Sequence, residues 1–248
     1  MTMIGTTTQT ASQPQTTPRA ADTRQIVGFS FYRLDPEWRR LSKAVKAKQS
    51  GELAGVVTRY SKKLMVLTYS LVGMKADVDF LIWRVGKSLE ELQEMSAAVR
   101  QTGMAGYLTV PHQYLSMTKR SLYVDKLDPD HPDKRRFIRP ASSKYLFVYP
   151  FVKTWEWYAL PFEQRQAMMD EHIILGNKHP SVRIHTTYSF GLDDQEFVLA
   201  FETDSPQDFL DLVMEMRESK ARPYTLSDTP IFTCVAKPFS EILQDLGV

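Results

Sequence analysis

One segment in the second half of the chain combines a phenol, an ammonium group and flat rings. The segment KYLFVYPFVKTWEWYALP runs from Lys144 to Pro161. Side chains alternate along an extended chain, so one face would carry Tyr149, Phe151, Lys153, Trp155 and Trp157. Taken alone, Tyr149 is typical of a core tyrosine with a satisfied hydroxyl, and Lys153 of a lysine that reaches solvent from a strand edge. Pro150 lacks a backbone donor, which predicts an edge or a bulge at that point.

A histidine follows on the next predicted helix, LPFEQRQAMMDEHIILGNK. His172 has Met168, Met169 and Leu175 at helical spacing, so it lies on the apolar stripe. It is either a core histidine bonded to the backbone or an axial ligand of a haem iron. Gly176, one turn later, would let a flat macrocycle approach closely. With five histidines and one cysteine in the chain, a multi-ligand zinc site is poorly supported, and a porphyrin is the metal cofactor that the chain could bind most readily.

Cationic side chains concentrate between the two halves of the chain, at Lys134, Arg135, Arg136 and Arg139. The run is either a solvated linker or an arginine grip on a carboxylate or phosphate. The net charge of the whole chain is only +2. A chain with so small a net charge has no extended positive electrostatic potential to attract nucleic acid or an anionic membrane, so any basic patch is local.

The remaining composition is that of a globular protein. Residues 1–24 are rich in Thr, Gln, Ser and Pro and are predicted to be a disordered tail, with a transit-type peptide as the alternative. The lone Cys234 excludes a disulfide within the chain, and no apolar run approaches the ~18 residues of a membrane span. The expected compartment is a reducing cytoplasm.

The elements that must position these residues occur twice. Asp79-Phe80-Leu81 aligns with Glu196-Phe197-Val198, and Ser88 aligns with Ser205 as a predicted helix N-cap. Each half reads as strand, helix, strand, strand, helix, strand, which is the ferredoxin-like pattern. The predicted ranges are 26–34, 37–62, 64–72, 77–85, 89–100 and 107–117 in the first half, and 145–154, 162–175, 182–190, 196–202, 207–218 and 230–236 in the second, before a last helix at 240–246.

These elements predict an α+β protein of two ferredoxin-like βαββαβ domains. The domains would span residues 25–119 and 144–248, joined by a crossover loop at 120–143. Each half would have helices on one side of its sheet only. The bare sheet faces must be buried, most simply against each other or against a ligand.

The motifs VYPFVKTWEWYALP, RQAMMDEH, YSFGLDDQEFVLAFETD and LVMEMRES resemble the chlorite dismutase family, and within it the coproheme decarboxylase branch. The resemblance covers residues 25–248. It implies a dimeric-type α+β barrel, assembled as a homopentamer, in which the C-terminal domain binds haem.

The resemblance also implies a role for individual residues. His172 matches the proximal ligand of the iron, Tyr149 the tyrosine that forms a radical, and Lys153 a lysine near the reacting propionate. Arg217 matches an arginine that binds a propionate, and Arg135 or Arg136 matches another. Trp157 and Met168 are expected to pack against the macrocycle.

The distal side of the macrocycle leaves alternatives open. Chlorite-degrading members have an arginine in the strand after the proximal helix, where this chain has His185, with Arg183 two residues earlier on the same strand face. One decarboxylase branch uses a histidine from the crossover loop, near which His131 lies. The distal base is therefore His185 or His131, and Arg183 keeps chlorite chemistry possible.

The implied activity is hydrogen peroxide-dependent oxidative decarboxylation of iron coproporphyrin III, the substrate and cofactor, to haem b. Two propionates become vinyl groups through a tyrosyl radical. The alternatives are a chlorite-degrading haem enzyme and a non-catalytic haem-binding protein. The implied partners are the other copies of the chain in the homopentamer and the ferrochelatase that supplies the substrate.

Overall fold

The first half of the chain forms four strands and two α-helices, in which apolar side chains recur at regular spacing. A computed structural model describes residues 24–124 and 137–248. The elements are β1 (Ile26–Leu34), α1 (Lys43–Tyr60), β2 (Met65–Ser70), β3 (Phe80–Gly86), α2 (Leu89–Arg100) and β4 (Leu108–Met117). Short 3-10 helices lie before α1, at Pro36–Arg40, and before β4, at Gly103–Tyr107.

The second half repeats this order with additions. Its elements are β5 (Tyr145–Lys153), α3 (Trp155–Ala159), α4 (Phe162–Asn177), β6 (Arg183–Tyr188), β7 (Phe197–Thr203), α5 (Pro206–Arg217), β8 (Thr225–Ser227), β9 (Phe232–Ala236) and α6 (Phe239–Asp245). Ser88 and Ser205 cap α2 and α5, since each hydroxyl accepts a hydrogen bond from a backbone N–H three residues later. Both predicted N-caps are confirmed.

The strands close into a ring, which confirms the predicted dimeric-type barrel. Around the ring the order is β4-β1-β3-β2-β9-β5-β7-β6, and β6 pairs back to β4. Each half thus places its own strands in the order fourth, first, third, second. The second strand of each half meets the fourth strand of the other, at Tyr69↔Ala236 on one seam and Met117↔Tyr188 on the other. The short strand β8 pairs with the end of β5, outside the ring.

Apolar side chains fill the ring and the space beneath the helices of the first half. Phe29, Trp83 and Phe232 are among the fully buried residues inside the ring. Trp38 and Leu53 belong to a second buried cluster, between the first half of the sheet and its helices, to which α6 also contributes. Within the described ranges, no helix is both long and apolar enough to cross a membrane.

Two sequence predictions about elements are wrong. The single helix predicted over 37–62 is a 3-10 helix, Pro36–Arg40, followed by α1, Lys43–Tyr60. Strand β5 ends at Lys153, within one residue of the predicted bound, but its predicted face does not extend further, because the chain turns at Thr154 into α3. Trp155 and Trp157 therefore do not continue the strand face: Trp155 is 86% exposed, whereas Trp157 is buried.

Candidate functional site

A large cavity lies between the second half of the sheet and its two long helices. It is bounded by β5, β6 and β7 on one side and by α4 and α5 on the other, and its volume is about 1560 Å³. Pockets for drug-sized ligands hold roughly 300–1,000 Å³, so this cavity suits a larger ligand. Few side chains fill this space: the buried cluster here consists of Phe147, Phe201, Phe209 and Leu212.

Strand register places Tyr149 on the cavity side of the sheet. Tyr149 pairs with Leu199 of β7, which pairs in turn with Thr186 of β6, so the three side chains form one row across the sheet. Ile184 and Phe201 lie in the adjacent row. On one side of β5, residues 145–148 pair with β9 and residues 152–153 pair with β8, and Pro150 lies in the unpaired gap between them. On the other side, Pro150 pairs with Val198 of β7. This gap fits the prediction from its missing backbone donor.

The phenol of Tyr149 stays protonated in its surroundings. Burial raises the pKa of Tyr149, and the nearby carboxylate of Asp228 raises it further, while Arg217 and Arg222 oppose the change. The ring stacks on Phe201, with 5.7 Å between centroids. A neutral phenol held against an apolar wall can give up a proton only together with an electron or to a strong base.

Lys153 ends β5 with its ammonium beside an indole. Its Nζ lies 4.2 Å from the ring centroid of Trp157 and 3.4 Å from the carbonyl oxygen of Ala221. Burial lowers the pKa of Lys153 to about 8, Arg222 adds to the lowering, and Glu196 opposes it. The side chain can therefore hold a carboxylate as an ammonium or exchange a proton near neutral pH.

Helix α4 brings His172 to the opposite wall of the same cavity. Gly176, one turn further, also lines the cavity, and a Cβ built there would meet only a methyl carbon of Met216, at 3.4 Å. A flat ligand can thus pass close to this turn of the helix. Met169 lines the cavity, whereas the predicted contact Met168 is not among its lining residues.

The guanidinium of Arg217 lies at the Tyr149 end of the cavity, where a carboxylate holds it. Asp228 accepts one hydrogen bond from Arg217, with 2.5 Å between Nη1 and Oδ2, and one from Arg222, with 2.7 Å. All three residues line the cavity. Sequence reasoning missed Arg222 and Asp228, and the only available signal was the second arginine that follows Arg217 in RESKARPY.

His185 lies on the face of β6 opposite Ile184, turned toward the barrel interior, and it also borders the cavity; its role as distal base stays a prediction. Its ring packs on Trp83 inside the barrel, and its Nε2 lies 2.7 Å from Oε2 of the buried Glu202. Arg183 belongs to the same face of β6 and donates to the carbonyl oxygen of Arg139. Because side chains alternate, Ile184 lies on the opposite face of β6, where it packs with the aromatic cluster at the cavity, and Arg183 and His185 border the same cavity from the other face.

Three predicted residues, His131, Arg135 and Arg136, lie outside the part of the chain that the structure describes. Trp157, by contrast, is buried at the cavity wall, where it contacts Tyr224 as well as Lys153.

The cavity residues suit a ligand that already supplies most of the coordinating atoms of its metal ion. Among the described residues, no group of three His, Cys, Asp or Glu side chains comes together to hold a metal ion. The cavity instead offers the imidazole of His172, an apolar lining and cations at one end. An iron porphyrin with carboxylate arms needs one axial ligand, a flat apolar slot and cationic partners, so these residues fit it.

The fold and the cavity define a class of proteins in which two ferredoxin-like halves of one chain form a dimeric-type α+β barrel, with a ligand site in one half. A family model described as Chlorite dismutase matches residues 46–237, and the chain belongs to the chlorite dismutase family.

Relatives and solved structures agree with this family. The chain is 34% identical over 166 residues to a coproheme decarboxylase of Mycolicibacterium smegmatis, a match that covers 66% of this chain and 70% of the relative. It is 30% identical over 167 residues to a coproheme decarboxylase of Staphylococcus carnosus, covering 62% of this chain and 66% of that relative.

The structure is similar to chlorite dismutase of Candidatus Nitrospira defluvii in complex with imidazole. That match has a TM-score of 0.81 and 26% identity, and it covers 89% of this chain and 94% of the other. A heme-binding protein of Thermus thermophilus has a TM-score of 0.82 at 24% identity, covering 90% and 95% of the two chains, which establishes a shared fold.

Proposed function

We propose that this protein is a coproheme decarboxylase, which converts iron coproporphyrin III to haem b with hydrogen peroxide. The observation that carries the proposal is that His172, Tyr149, Lys153 and Arg217 all line one cavity. Family membership and relatives named coproheme decarboxylase support the same activity.

In this proposal the two walls of the cavity hold the substrate from opposite sides. His172 would hold the iron through its imidazole, and Gly176 would leave room for the ring to lie close to α4. The bound iron supplies the chemistry that turns hydrogen peroxide into a one-electron oxidant of the protein. Phe201 and Leu199 form the apolar surface of the sheet that excludes water from the macrocycle.

Tyr149 is the residue that carries the radical to the propionate. Its phenol loses an electron and a proton, and the phenoxyl then takes a hydrogen atom from the β-carbon of the neighbouring propionate. Loss of a second electron and of carbon dioxide leaves a vinyl group. For each propionate, one hydrogen peroxide and one proton are consumed, and one carbon dioxide and two water molecules form with the vinyl group.

The cations at this end of the cavity orient the carboxylate arms. Arg217 offers a guanidinium fork, which binds a carboxylate with defined geometry. Lys153 can donate to a second carboxylate or supply a proton, because its pKa of about 8 lies close to neutral pH. The ammonium is held over Trp157, so its direction is fixed before the substrate arrives.

The base that takes the proton of hydrogen peroxide is not assigned to a described residue. His185 is held by Glu202 inside the barrel, so of the two predicted histidines we retain His131, which lies outside the described residues. Chlorite degradation is disfavoured, because Arg183, the one arginine of β6, borders the cavity from the strand face opposite Tyr149 and donates to the carbonyl oxygen of Arg139.

The domain that binds haem, the oligomeric state, the compartment and the source of the substrate are also predictions. We propose that residues 144–248 are the haem-binding domain, that the chain assembles as a homopentamer in the cytoplasm, and that a ferrochelatase supplies the substrate. Analytical ultracentrifugation tests the pentamer, since a monomer in the presence of substrate would rule it out.

The direct test mixes the protein with iron coproporphyrin III, adds hydrogen peroxide and measures the masses of the products. We expect successive loss of two propionate carboxyl groups and accumulation of haem b. Bound substrate that stays intact under peroxide would contradict the enzyme and favour a haem-binding protein. Rapid oxygen release from added chlorite would instead favour the chlorite-degrading alternative.

A further inference from the structure

A cluster of one carboxylate and two guanidiniums closes the cavity beside Tyr149. One oxygen of Asp228 accepts hydrogen bonds from both Arg217 and Arg222. The side chain of Asp228 is 16% exposed, and those of Arg217 and Arg222 are 39% and 34% exposed. The carboxylate is thus the shielded centre of the cluster, and the guanidiniums lie at its margin.

The fold fixes this cluster relative to the reacting strand. Arg217 ends α5, Arg222 begins the 3-10 helix Arg222–Tyr224, and Asp228 directly follows β8. Strand β8 pairs with the end of β5, the strand that carries Tyr149 and Lys153. The cluster therefore connects helix α5 to the strand at which the proposed chemistry occurs.

The charges of the cluster act directly on the reactive groups. Burial raises the pKa of Asp228, but hydrogen bonds from Arg222 and Arg217 outweigh this effect and leave the pKa below its usual value, so the carboxylate is ionised at neutral pH. Asp228, Arg217 and Arg222 all influence the phenol of Tyr149, and Arg222 also influences Lys153.

We propose that Asp228 is a positioning residue that holds Arg217 and Arg222 side by side as a receptor for the carboxylate of the propionate that reacts at Tyr149. Two adjacent guanidiniums repel each other, and the shared carboxylate oxygen offsets that repulsion. A guanidinium has five N–H donors, and each arginine gives one of its Nη1 donors to Asp228. The other donors can receive a second carboxylate.

This inference rests on the proposed function and has a consequence for specificity. The carboxylate that the arginine pair would bind leaves as carbon dioxide, so the product has no group for the pair. Arg222 and Asp228 should therefore strengthen binding of a porphyrin with four propionates and contribute little to one in which two of them are vinyl groups.

The experiment measures binding of two metal-free porphyrins, coproporphyrin III and protoporphyrin IX, by quenching of tryptophan fluorescence. Arg222→Gln should weaken coproporphyrin III binding about tenfold, because a charged hydrogen bond is lost, and change protoporphyrin IX binding by less than about twofold. Asp228→Asn should lower the ratio of the two affinities several-fold. Adding Asp228→Asn to Arg222→Gln should lower the ratio by a smaller factor than Asp228→Asn does in the wild-type protein, since Asp228 acts through the arginines and only Arg217 remains.

Asp211→Asn is the matched control, because it removes one negative charge from an exposed position on α5. It should leave the affinity ratio unchanged, and circular dichroism should show that each variant is folded. If Asp228→Asn raises both affinities by the same factor, Asp228 acts only as bulk negative charge and the inference is overturned. If the wild-type protein binds neither porphyrin, the proposed function itself fails, which this experiment separates from failure of the inference alone.

Discussion

The depressed pKa of Lys153 predicts a specific pH dependence of substrate binding. The ammonium should be about 90% protonated at pH 7 and only about 10% protonated at pH 9 in the free protein, given a pKa of about 8. A bound carboxylate favours the charged form and raises the pKa of Lys153 above this range. Binding above pH 8 therefore requires uptake of a proton.

The sign and size of the effect follow from this linkage. Below pH 8 the ammonium is already present, so affinity for coproporphyrin III is nearly constant. Above pH 8 the affinity should fall toward tenfold per pH unit, which gives a loss of about tenfold between pH 7 and pH 9. Calorimetry in buffers of different ionisation enthalpy should detect uptake of about one proton per binding event at pH 9.

Lys153→Met isolates this contribution, because it keeps the length of the stem and removes the ammonium. Its binding should be weaker at pH 7 and lack the additional fall between pH 7 and pH 9. Lys87→Met, at an exposed position in the first half, should retain the wild-type profile. Equal pH slopes for the wild-type protein and Lys153→Met would refute the reasoning, since any remaining slope would belong to the porphyrin or to another residue.

Three further predictions concern the other residues of the cavity and the barrel. Tyr149→Phe should bind iron coproporphyrin III within about threefold of wild type but form no vinyl product by mass spectrometry; normal turnover would exclude the radical role. His172→Ala should lose the absorption spectrum of axial imidazole ligation and regain it with added imidazole, and an unaltered spectrum would exclude ligation. His185→Ala should lower the free energy of unfolding in urea by about 3 kcal/mol, because Glu202 loses its buried partner, while the peroxide reaction of the folded fraction stays unchanged. A slower peroxide reaction without loss of stability would return His185 to the role of base.

The periodicity of the sequence predicts most of the fold. Strand β1 and helix α2 have the predicted bounds, and the internal repeat predicts the pairing of two ferredoxin-like halves into a barrel. These elements are long and regular, so local side-chain patterns determine them. Strand β8 spans only Thr225–Ser227, which is too short to show a period. The role of Asp228, which β8 positions, was therefore not visible in the sequence.

The face of a strand is harder to predict than its existence. The loop between α4 and β6 sets which residue of β6 faces the cavity, and a difference of one residue reverses the face. The family resemblance indicated His185, which borders the cavity but turns its ring toward Trp83, whereas Ile184 lies on the face of β6 that packs with the aromatic cluster. In the same way, the predicted face of β5 extended to Trp155 because nothing in the alternation marks the turn at Thr154.

The two halves of the barrel share one strand order but fill the space under their helices differently. In the repeat alignment, Arg84 of β3 corresponds to Phe201 of β7. Arg84 is buried and donates to Ser30 of β1 and to Ser96 of α2, so it ties the first half of the sheet to its helix.

At the corresponding place in the second half, Phe201 stacks on Tyr149 and forms a wall of the cavity. Side chains thus complete the core beneath the helices of the first half, including Trp38 and residues of α6, which the second half contributes. The second half keeps its helices apart from much of the sheet, and in the proposed function the macrocycle takes the place of that missing core. This asymmetry explains why a duplicated fold would bind one porphyrin rather than two: a fixed arginine network occupies the equivalent space in the first half.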